Sequence, residues 1–249
     1  MSNFWLLVIL SISSYLIGNL NWALIIAKTK KVDIRAVGSG NPGTLNMSRN
    51  LGLKAGLLTF FLDIMKGAIP TLVADFLTKD RYFYGTEFVV SDLAIYLCGL
   101  SAVLGHIYPV FLKFKGGKGI ASTIGVFMVC SSLFGWEWAV LIIMALVAAG
   151  VFIYITEFGA MGSFIAITPP AIGSALRLFF AYNTVTNSLV YYIVANLLIL
   201  AICLFTWLAH RHNIERMLAG EEHPTSIKQM VVKMKLKKAQ EKQDMEKIK

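Results

Sequence analysis

The sequence predicts an all-α, polytopic integral membrane protein with seven transmembrane helices. Of its 249 residues, 57% are apolar and only 15% are charged, and the mean hydropathy is +0.67. A helix needs about 20 apolar residues to cross a hydrocarbon core of about 30 Å, and several segments reach that length. We expect crossings at 4–27, 53–75, 89–112, 118–135, 137–155, 160–181 and 187–209.

The first crossing is notable for the charges that flank it, and the fourth is notable for its short length. No basic residue precedes the first crossing and Lys28, Lys30 and Lys31 follow it, a pattern that favours a retained helix over a cleaved signal peptide. The continuous apolar part of the fourth crossing, residues 120–134, extends about 22 Å at the helical rise of about 1.5 Å per residue. We therefore expect this helix to be tilted, partly buried or re-entrant.

The distribution of basic residues predicts an N terminus outside and a C terminus in the cytoplasm. This orientation places 19 of the 23 lysines and arginines on the cytoplasmic side, in the regions 28–54, 113–118 and 211–249. Lys79, Arg81 and Arg177 lie outside, and Lys66 falls within the second crossing. Such asymmetry is typical of the positive-inside rule.

We predict one membrane domain at 1–225 and a basic cytoplasmic tail at 226–249. The tail holds 8 lysines and 3 acidic residues, a net charge of +5. Near an anionic leaflet each such charge contributes about 1 kcal/mol, so the tail either rests on the membrane surface or is a solvated charged segment. Nucleic acid is not an expected partner, because the basic residues have no aromatic stacking partners outside the bilayer segments.

The three cysteines, Cys98, Cys130 and Cys203, all fall within apolar segments. They are odd in number and have no ligand spacing with the four histidines. We therefore expect neither structural disulfides nor a metal site, and no cofactor.

Two glycine-rich, cationic stretches interrupt the apolar chain at 38–49 (GSGNPGTLNMSR) and 105–119 (GHIYPVFLKFKGGKG). Glycines let backbone N–H groups approach an anion closely, and the serine, asparagine, arginine and lysine side chains add donors and positive charge. The orientation above places both stretches on the cytoplasmic side, with the His210 region and the turn near Thr156. The pattern predicts a phosphate-binding site at that membrane edge.

Asp63 and Lys66 lie three residues apart within one apolar crossing, and so share a helix face. An unpaired charge at mid-bilayer costs about 2.5–3.5 kcal/mol on insertion scales. A mutual ion pair or a position near the cytoplasmic end would reduce that cost, and we expect a structural role for these residues rather than a catalytic one.

Four segments carry a family resemblance: GSGNPGTLNMSRNLG, LLTFFLDIMKG, GHIYPVFLKFKGGKGIAST and HRHNIERMLAGEE. In order and spacing they resemble the signature motifs of the bacterial acyl-phosphate:glycerol-3-phosphate acyltransferases, the PlsY family, over residues 4–224. The resemblance implies a multi-pass enzyme of the bacterial inner membrane with its active site at the cytoplasmic face. It implies transfer of a fatty acyl group from acyl phosphate to the 1-hydroxyl of sn-glycerol 3-phosphate, giving lysophosphatidic acid and phosphate in phospholipid biosynthesis.

The resemblance also implies roles for individual residues. The catalytic residues are Ser39, Arg49, His210 and Asn213. The substrate-binding residues are Asn41, Gly43, Asn46, Lys115, Gly116, Gly117, Lys118, Gly119 and Thr156, with Lys118 favoured over Lys115 as the substrate-binding lysine. The structural residues are Asp63, Lys66 and Glu222. The general base stays open between His210 and the phosphate of the donor itself.

The chain departs from the family pattern at a few positions. Thr44, Leu45 and Asn46 stand where the family usually has Ala-Thr-Asn. Thr156 occupies the position of an expected serine, and Glu157 beside it would repel phosphate unless its carboxylate points away.

Two other functions would require features that differ from those of this sequence. A transporter of a phosphorylated solute would place polar groups near the midplane, on broken helices related by an internal repeat, and the sequence has no such repeat. A thioester-dependent acyltransferase would carry a His-x4-Asp pair, and the nearest match here is His210 with Glu215.

Overall fold

The structure is a computed structural model that describes residues 2–184 and 186–221, and beyond them Thr225, Val232 and Leu236. Within these residues the chain forms ten α-helices: α1 (Asn3–Gly18), α2 (Trp22–Thr29), α3 (Thr44–Leu51), α4 (Leu53–Thr78), α5 (Ser91–Ile107), α6 (Ile120–Leu133), α7 (Trp136–Thr156), α8 (Gly159–Tyr182), α9 (Leu189–Leu208) and α10 (Arg211–Leu218). Glu222 and all but two residues of the predicted basic tail at 226–249 lie outside the described residues.

Six helical stretches of the described chain are long and apolar enough to cross a membrane: Asn3–Thr29, Leu53–Thr78, Ser91–Leu112, Trp136–Thr156, Gly159–Tyr182 and Leu189–Leu208. This agrees with the prediction of an all-α, multi-pass membrane protein. The seventh apolar helix, α6, has 14 residues and therefore extends about 21 Å. Its length alone does not establish a seventh crossing.

The first predicted crossing is interrupted at residues 19–21, which separate α1 from α2. The side-chain oxygen of Asn21 accepts a hydrogen bond from the N–H of Leu24 at 3.0 Å and so caps the start of α2. In the same break, the Leu20 carbonyl accepts from Lys66 Nζ at 2.7 Å. A lysine from α4 thus satisfies backbone that the break leaves without a helical partner.

The short helix α6 packs closely against α4. A Cβ on Gly67 would overlap with the carbonyl oxygen of Ser122, and one on Gly125 would overlap with the carbonyl oxygen of Ile64. Small residues at such contacts let two helix backbones approach each other. Every residue of α6 from Ser122 to Phe127 is buried. This agrees with the expectation that the fourth crossing is partly buried.

The bundle has two distinguishable ends. At one end, the Asn3 side chain at the start of α1 donates to the carbonyl of Tyr82 at 3.0 Å. From this end α5 runs to residue 107, and the loop that follows it carries Lys118, which contacts Asn213 on α10. We call this second end, which gathers α3, α10, the α5–α6 loop and the α7–α8 turn, the site end.

A polar cluster stabilises the end opposite the site. Asp92 on α5 accepts hydrogen bonds from Arg177 and from the Tyr182 hydroxyl, both on α8. The Arg177 guanidinium also lies 3.7 Å from the ring centroid of Phe134, which follows α6. Three helices are therefore joined there, away from the glycine-rich loops.

Candidate active site

The loop at 108–119 folds back onto the carboxyl end of α5. The N–H of Gly116 donates to the Ile107 carbonyl and the N–H of Gly117 donates to the His106 carbonyl, both at 3.1 Å. A Cβ on Gly117 would overlap with Nε2 of His106. These bonds satisfy carbonyls at the end of α5 that have no intrahelical donor. Both glycines therefore serve a close approach of the loop to α5.

The same loop ends at the start of α6, and Lys118 precedes that helix by two residues. Gly119 has a φ of +83°, a left-handed conformation that favours glycine, and it immediately precedes α6. The first N–H groups of a helix have no intrahelical acceptor and carry the positive end of its dipole. Beside them, Lys118 Nζ donates to Oδ1 of Asn213 on α10.

The imidazole of His210 is buried next to Lys118. Its Nδ1 lies 2.9 Å from the Thr206 carbonyl, which only accepts hydrogen bonds, so Nδ1 carries the proton and Nε2 is the acceptor. The Phe164 ring packs edge-on against it, with the ring centroids 5.5 Å apart. Burial, and then the charge of Lys118, lower the pKa of His210 from 6.5 to about 4. The ring is therefore neutral at pH 7.

The first glycine-rich loop is organised by Asn46. Its side chain is buried, and its Nδ2 donates to the carbonyls of Ile34 and Val37 at 3.0 and 3.1 Å. Its Oδ1 accepts from the Ser39 N–H at 3.1 Å and from the Asn50 side chain at 3.0 Å. The amide thus uses both donor protons and both acceptor positions within the protein, and it fixes the backbone on which Ser39 is exposed.

Arg35 joins the two glycine-rich loops, and sequence analysis did not identify it. Its Nη2 donates to the carbonyl of Lys115. A main-chain acceptor leaves no side-chain pattern in a sequence, so spacing alone offered no signal for this contact. The bond links the Ser39 loop to the loop that carries Lys118.

Arg49, on α3, contacts a second residue that sequence analysis missed. Its Nε donates to the carbonyl of Thr225 at 2.9 Å, and the Thr225 N–H donates to the carbonyl of Glu157 at 3.0 Å. Thr225 thereby connects α3 with the turn between α7 and α8.

The hydroxyl of Thr156 is engaged within that turn. It donates to the Phe152 carbonyl at 2.8 Å and accepts from the Phe158 N–H at 3.2 Å. Glu157 beside it has a φ of +61° and ends α7 as its C-cap. The turn that carries the predicted substrate-binding hydroxyl is thus closed by that same hydroxyl.

Asp63 and Lys66 form an ion pair inside the bundle. Lys66 Nζ lies 2.9 Å from Asp63 Oδ1, and both side chains are almost fully buried. The same carboxylate oxygen is 3.8 Å from Nδ1 of His106, whose Nε2 faces Gly117. Through Lys66 the pair contacts the break between α1 and α2, and it lies near the His106 ring at the end of α5.

The remaining predicted residues also lie at the site end, apart from Glu222, which is outside the described residues. Asn41 and Gly43 are half-buried, and the Gly43 N–H donates to the Asn41 carbonyl at 2.9 Å just before α3. Contacts thus join Lys118, His210 and Asn213 in one group and connect Arg49 with the Thr156 turn. Among the described residues, no group of three or more His, Cys, Asp or Glu side chains is arranged to hold a metal ion.

Comparisons with known proteins cover almost the whole described bundle. The family model described as glycerol-3-phosphate acyltransferase matches residues 8–220. A glycerol-3-phosphate acyltransferase of Aquifex aeolicus (strain VF5) is 39% identical over 216 residues, which are 86% of this chain and 96% of the relative. One from Thermoanaerobacter pseudethanolicus is 36% identical and covers 86% of this chain and 93% of the relative.

Two solved structures of PlsY are also similar to this chain. The crystal structure of PlsY, an integral membrane glycerol 3-phosphate acyltransferase, in its glycerol 3-phosphate form has 35% sequence identity and a TM-score of 0.67, and the match covers 88% of this chain and 94% of that one. The lysophosphatidic acid form of PlsY matches with 34% identity and a TM-score of 0.65. Since the family model and these relatives match along most of its length, the chain belongs to the glycerol-3-phosphate acyltransferase family, that of PlsY.

Proposed function

We propose that this protein transfers a fatty acyl group from acyl phosphate to the 1-hydroxyl of sn-glycerol 3-phosphate, giving lysophosphatidic acid and inorganic phosphate for phospholipid biosynthesis. The observation that carries this function is the match of residues 8–220 to the family. The clustering of Arg49, Lys118 and His210 at one end of the bundle supports it, because both substrates bring phosphate groups to the enzyme.

We further propose seven crossings, an N terminus outside and a cytoplasmic site end in a bacterial inner membrane. The asymmetry of basic residues favours this orientation. Because the start of α1 and the helix α10 lie at opposite ends of the bundle, an odd number of traverses fits the fold, with α6 as the short one. We also propose a membrane domain at 1–225 and a basic cytoplasmic tail at 226–249.

Arg49, Lys118 and Ser39 are the proposed phosphate contacts. An arginine grips a phosphate through two parallel hydrogen bonds, and a lysine contributes a point charge. Lys118 sits beside the amino end of α6, where helix N–H groups favour an anion, and Asn213 orients its ammonium. The exposed hydroxyl of Ser39 adds a donor. Asn41, Gly43 and Gly119 shape the loops at these contacts, and Lys115 is the alternative lysine.

In the reaction, the substrate hydroxyl oxygen attacks the carbonyl carbon of the acyl phosphate. The new ester C–O bond forms, the anhydride C–O bond breaks, and phosphate leaves with the electron pair. Nε2 of His210 is an acceptor in the neutral tautomer and is one group that can take the hydroxyl proton, although a pKa of about 4 makes it a weak base at pH 7. A phosphate oxygen of the donor is the alternative acceptor. Because the anhydride is already activated, positioning and charge stabilisation supply much of the catalysis.

Several predicted binding residues have a positioning role in this proposal. The N–H groups of Gly116 and Gly117 serve the α5 carbonyls, so these glycines hold the loop rather than the phosphate. Asn46 and Thr156 likewise close their own loops. Asp63 and Lys66 are proposed to hold the break between α1 and α2 through the hydrogen bond from Lys66 to the Leu20 carbonyl, and Glu222 keeps its proposed structural role.

A transporter of a phosphorylated solute is not favoured. The break at 19–21 does expose polar backbone inside the bundle, as a transporter site would. Lys66 Nζ and the Leu20 carbonyl satisfy each other there at 2.7 Å. The loops that suit phosphate are instead at one end.

The test is turnover by the purified full chain in detergent. We expect release of phosphate and formation of lysophosphatidic acid from glycerol 3-phosphate and palmitoyl phosphate, including after exhaustive chelation of metal ions. Palmitoyl thioesters of coenzyme A or acyl carrier protein should give no turnover. Equal rates with thioesters would refute the proposed donor, and no turnover with any donor would refute the function.

A further inference from the structure

We propose that Thr225 is a positioning residue for this reaction: its main chain holds Arg49 and the α7–α8 turn in one fixed arrangement. This inference rests on the proposed function, because Arg49 is its proposed phosphate clamp. Thr225 carries no role in the motifs of the sequence, and it lies beyond residues 8–220, the part of the chain that matches the family model.

Two main-chain hydrogen bonds of Thr225 join α3 to the turn between α7 and α8. Its carbonyl accepts from Arg49 Nε at 2.9 Å, and its N–H donates to the Glu157 carbonyl at 3.0 Å. Only 2% of the residue is exposed. On its other side, a Cβ on Gly159 would come within 2.9 Å of the Thr225 methyl group, so α8 begins in direct contact with it. Burial on both sides leaves the residue little freedom to move.

The hydrogen bond at Nε has a consequence for Arg49. A guanidinium is planar, and a fixed acceptor at one of its N–H groups sets the direction of that plane. An arginine held in this way loses less side-chain freedom when it binds a phosphate, and it binds in one geometry. The Glu157 bond transmits the same constraint to the turn that carries Thr156.

The main chain of Thr225, rather than its hydroxyl, makes these contacts. Oγ1 is buried and has no hydrogen-bond partner in the described part of the chain. Replacing an unsatisfied hydroxyl by a methyl group of the same shape is close to neutral. Thr225→Val therefore keeps both main-chain hydrogen bonds, whereas Thr225→Pro removes the N–H that donates to the Glu157 carbonyl.

The experiment compares these two variants in the full chain, assayed with glycerol 3-phosphate and palmitoyl phosphate. We expect Thr225→Val to keep kcat/KM within about twofold of the parent and Thr225→Pro to lower it by about 10- to 100-fold, the range that small misplacements of a positioning group produce. In an Arg49→Lys background, Thr225→Pro should lower kcat/KM far less, because the group that it positions is already lost. An equal loss in both backgrounds would refute positioning of Arg49.

Two shortened chains give an independent measurement. A chain that ends at Lys228 keeps the Thr225 main chain and loses seven of the eight tail lysines, whereas a chain that ends at Pro224 loses Thr225 as well. We expect the first to be as active as the parent and the second to fall with Thr225→Pro, at equal amounts of monodisperse protein. Full activity of the Pro224 chain would overturn the inference while the proposed function stands. An inactive parent chain would instead overturn the proposed function.

Discussion

The buried pair of Asp63 and Lys66 gives the most quantitative prediction. Lys66→Met keeps most of the side-chain volume but leaves the Asp63 carboxylate without its partner at 2.9 Å. Removing one member of a buried ion pair costs about 3–5 kcal/mol, because the other charge stays buried. The variant should therefore be among the least stable single substitutions in this bundle.

The double variant Asp63→Leu with Lys66→Met should be more stable than Lys66→Met alone. It removes both buried charges, and the main loss that remains is the hydrogen bond that the Leu20 carbonyl accepts at 2.7 Å. An unsatisfied buried acceptor costs about 1–3 kcal/mol. Adding a second substitution should thus recover about 2 kcal/mol, the difference between the centres of these two ranges.

The three buried cysteines provide the assay. Cys98, Cys130 and Cys203 are free thiols inside the fold, so a thiol-reactive dye reports unfolding as the detergent-solubilised protein is heated. Ile69→Met is the control, since Ile69 lies on the same helix and is 46% exposed. Asp63→Leu alone is measured as the second single variant. If the double variant melts as low as the summed losses of Asp63→Leu and Lys66→Met predict, the residues do not act as a pair and the reasoning fails.

Three further predictions concern the site and its orientation. Arg49→Lys keeps the charge but loses the planar fork, so kcat/KM should fall about 100-fold or more in a protein that still folds and inserts; near-native kinetics would refute the proposed phosphate clamp. The pKa of His210 is lowered from 6.5 to about 4 in the folded protein, so the unfolded chain binds its proton first as the pH falls. The contribution of His210 to stability is therefore present above pH 6.5 and is lost between pH 6.5 and 4. The free energy of unfolding of His210→Gln should depend less on pH in that window than that of the parent. An unchanged pH dependence would contradict a buried neutral ring. In a cysteine-free background, Lys79→Cys should react with an impermeant thiol reagent in intact cells and Lys30→Cys only in inverted vesicles, and labelling of both from one side would refute the orientation.

The sequence predicted the helical, multi-pass architecture because apolar composition and helix length are local properties that the bilayer requires of any spanning segment. It did not predict the break at residues 19–21, which appeared as part of one continuous crossing. The stabilising partner of that break is Lys66, 46 residues away from Leu20 in the chain. Hydropathy along a window contains no information about such a contact.

The glycines show why a motif predicts the place of a site better than the role of each member. Gly116, Gly117 and Gly119 occur in one run, and glycine is required equally by an anion that needs close N–H groups and by a helix end that needs close backbone. In the structure the N–H groups of Gly116 and Gly117 donate to carbonyls of α5, whereas Gly119 directly precedes α6. Substituting any of them would lower activity, so activity alone cannot assign the role.

Arg35 and Thr225 extend the same reasoning to contacts that no motif contains. Each meets its partner through a main-chain carbonyl, of Lys115 in one case and of Thr225 itself in the other, and a carbonyl is common to every residue type. A main-chain acceptor orients its partner without using its own side chain, so no residue type marks such a position in a sequence. The residues that would orient the proposed phosphate contacts are therefore determined by where the backbone passes, and they become visible only when loops distant in sequence are placed side by side.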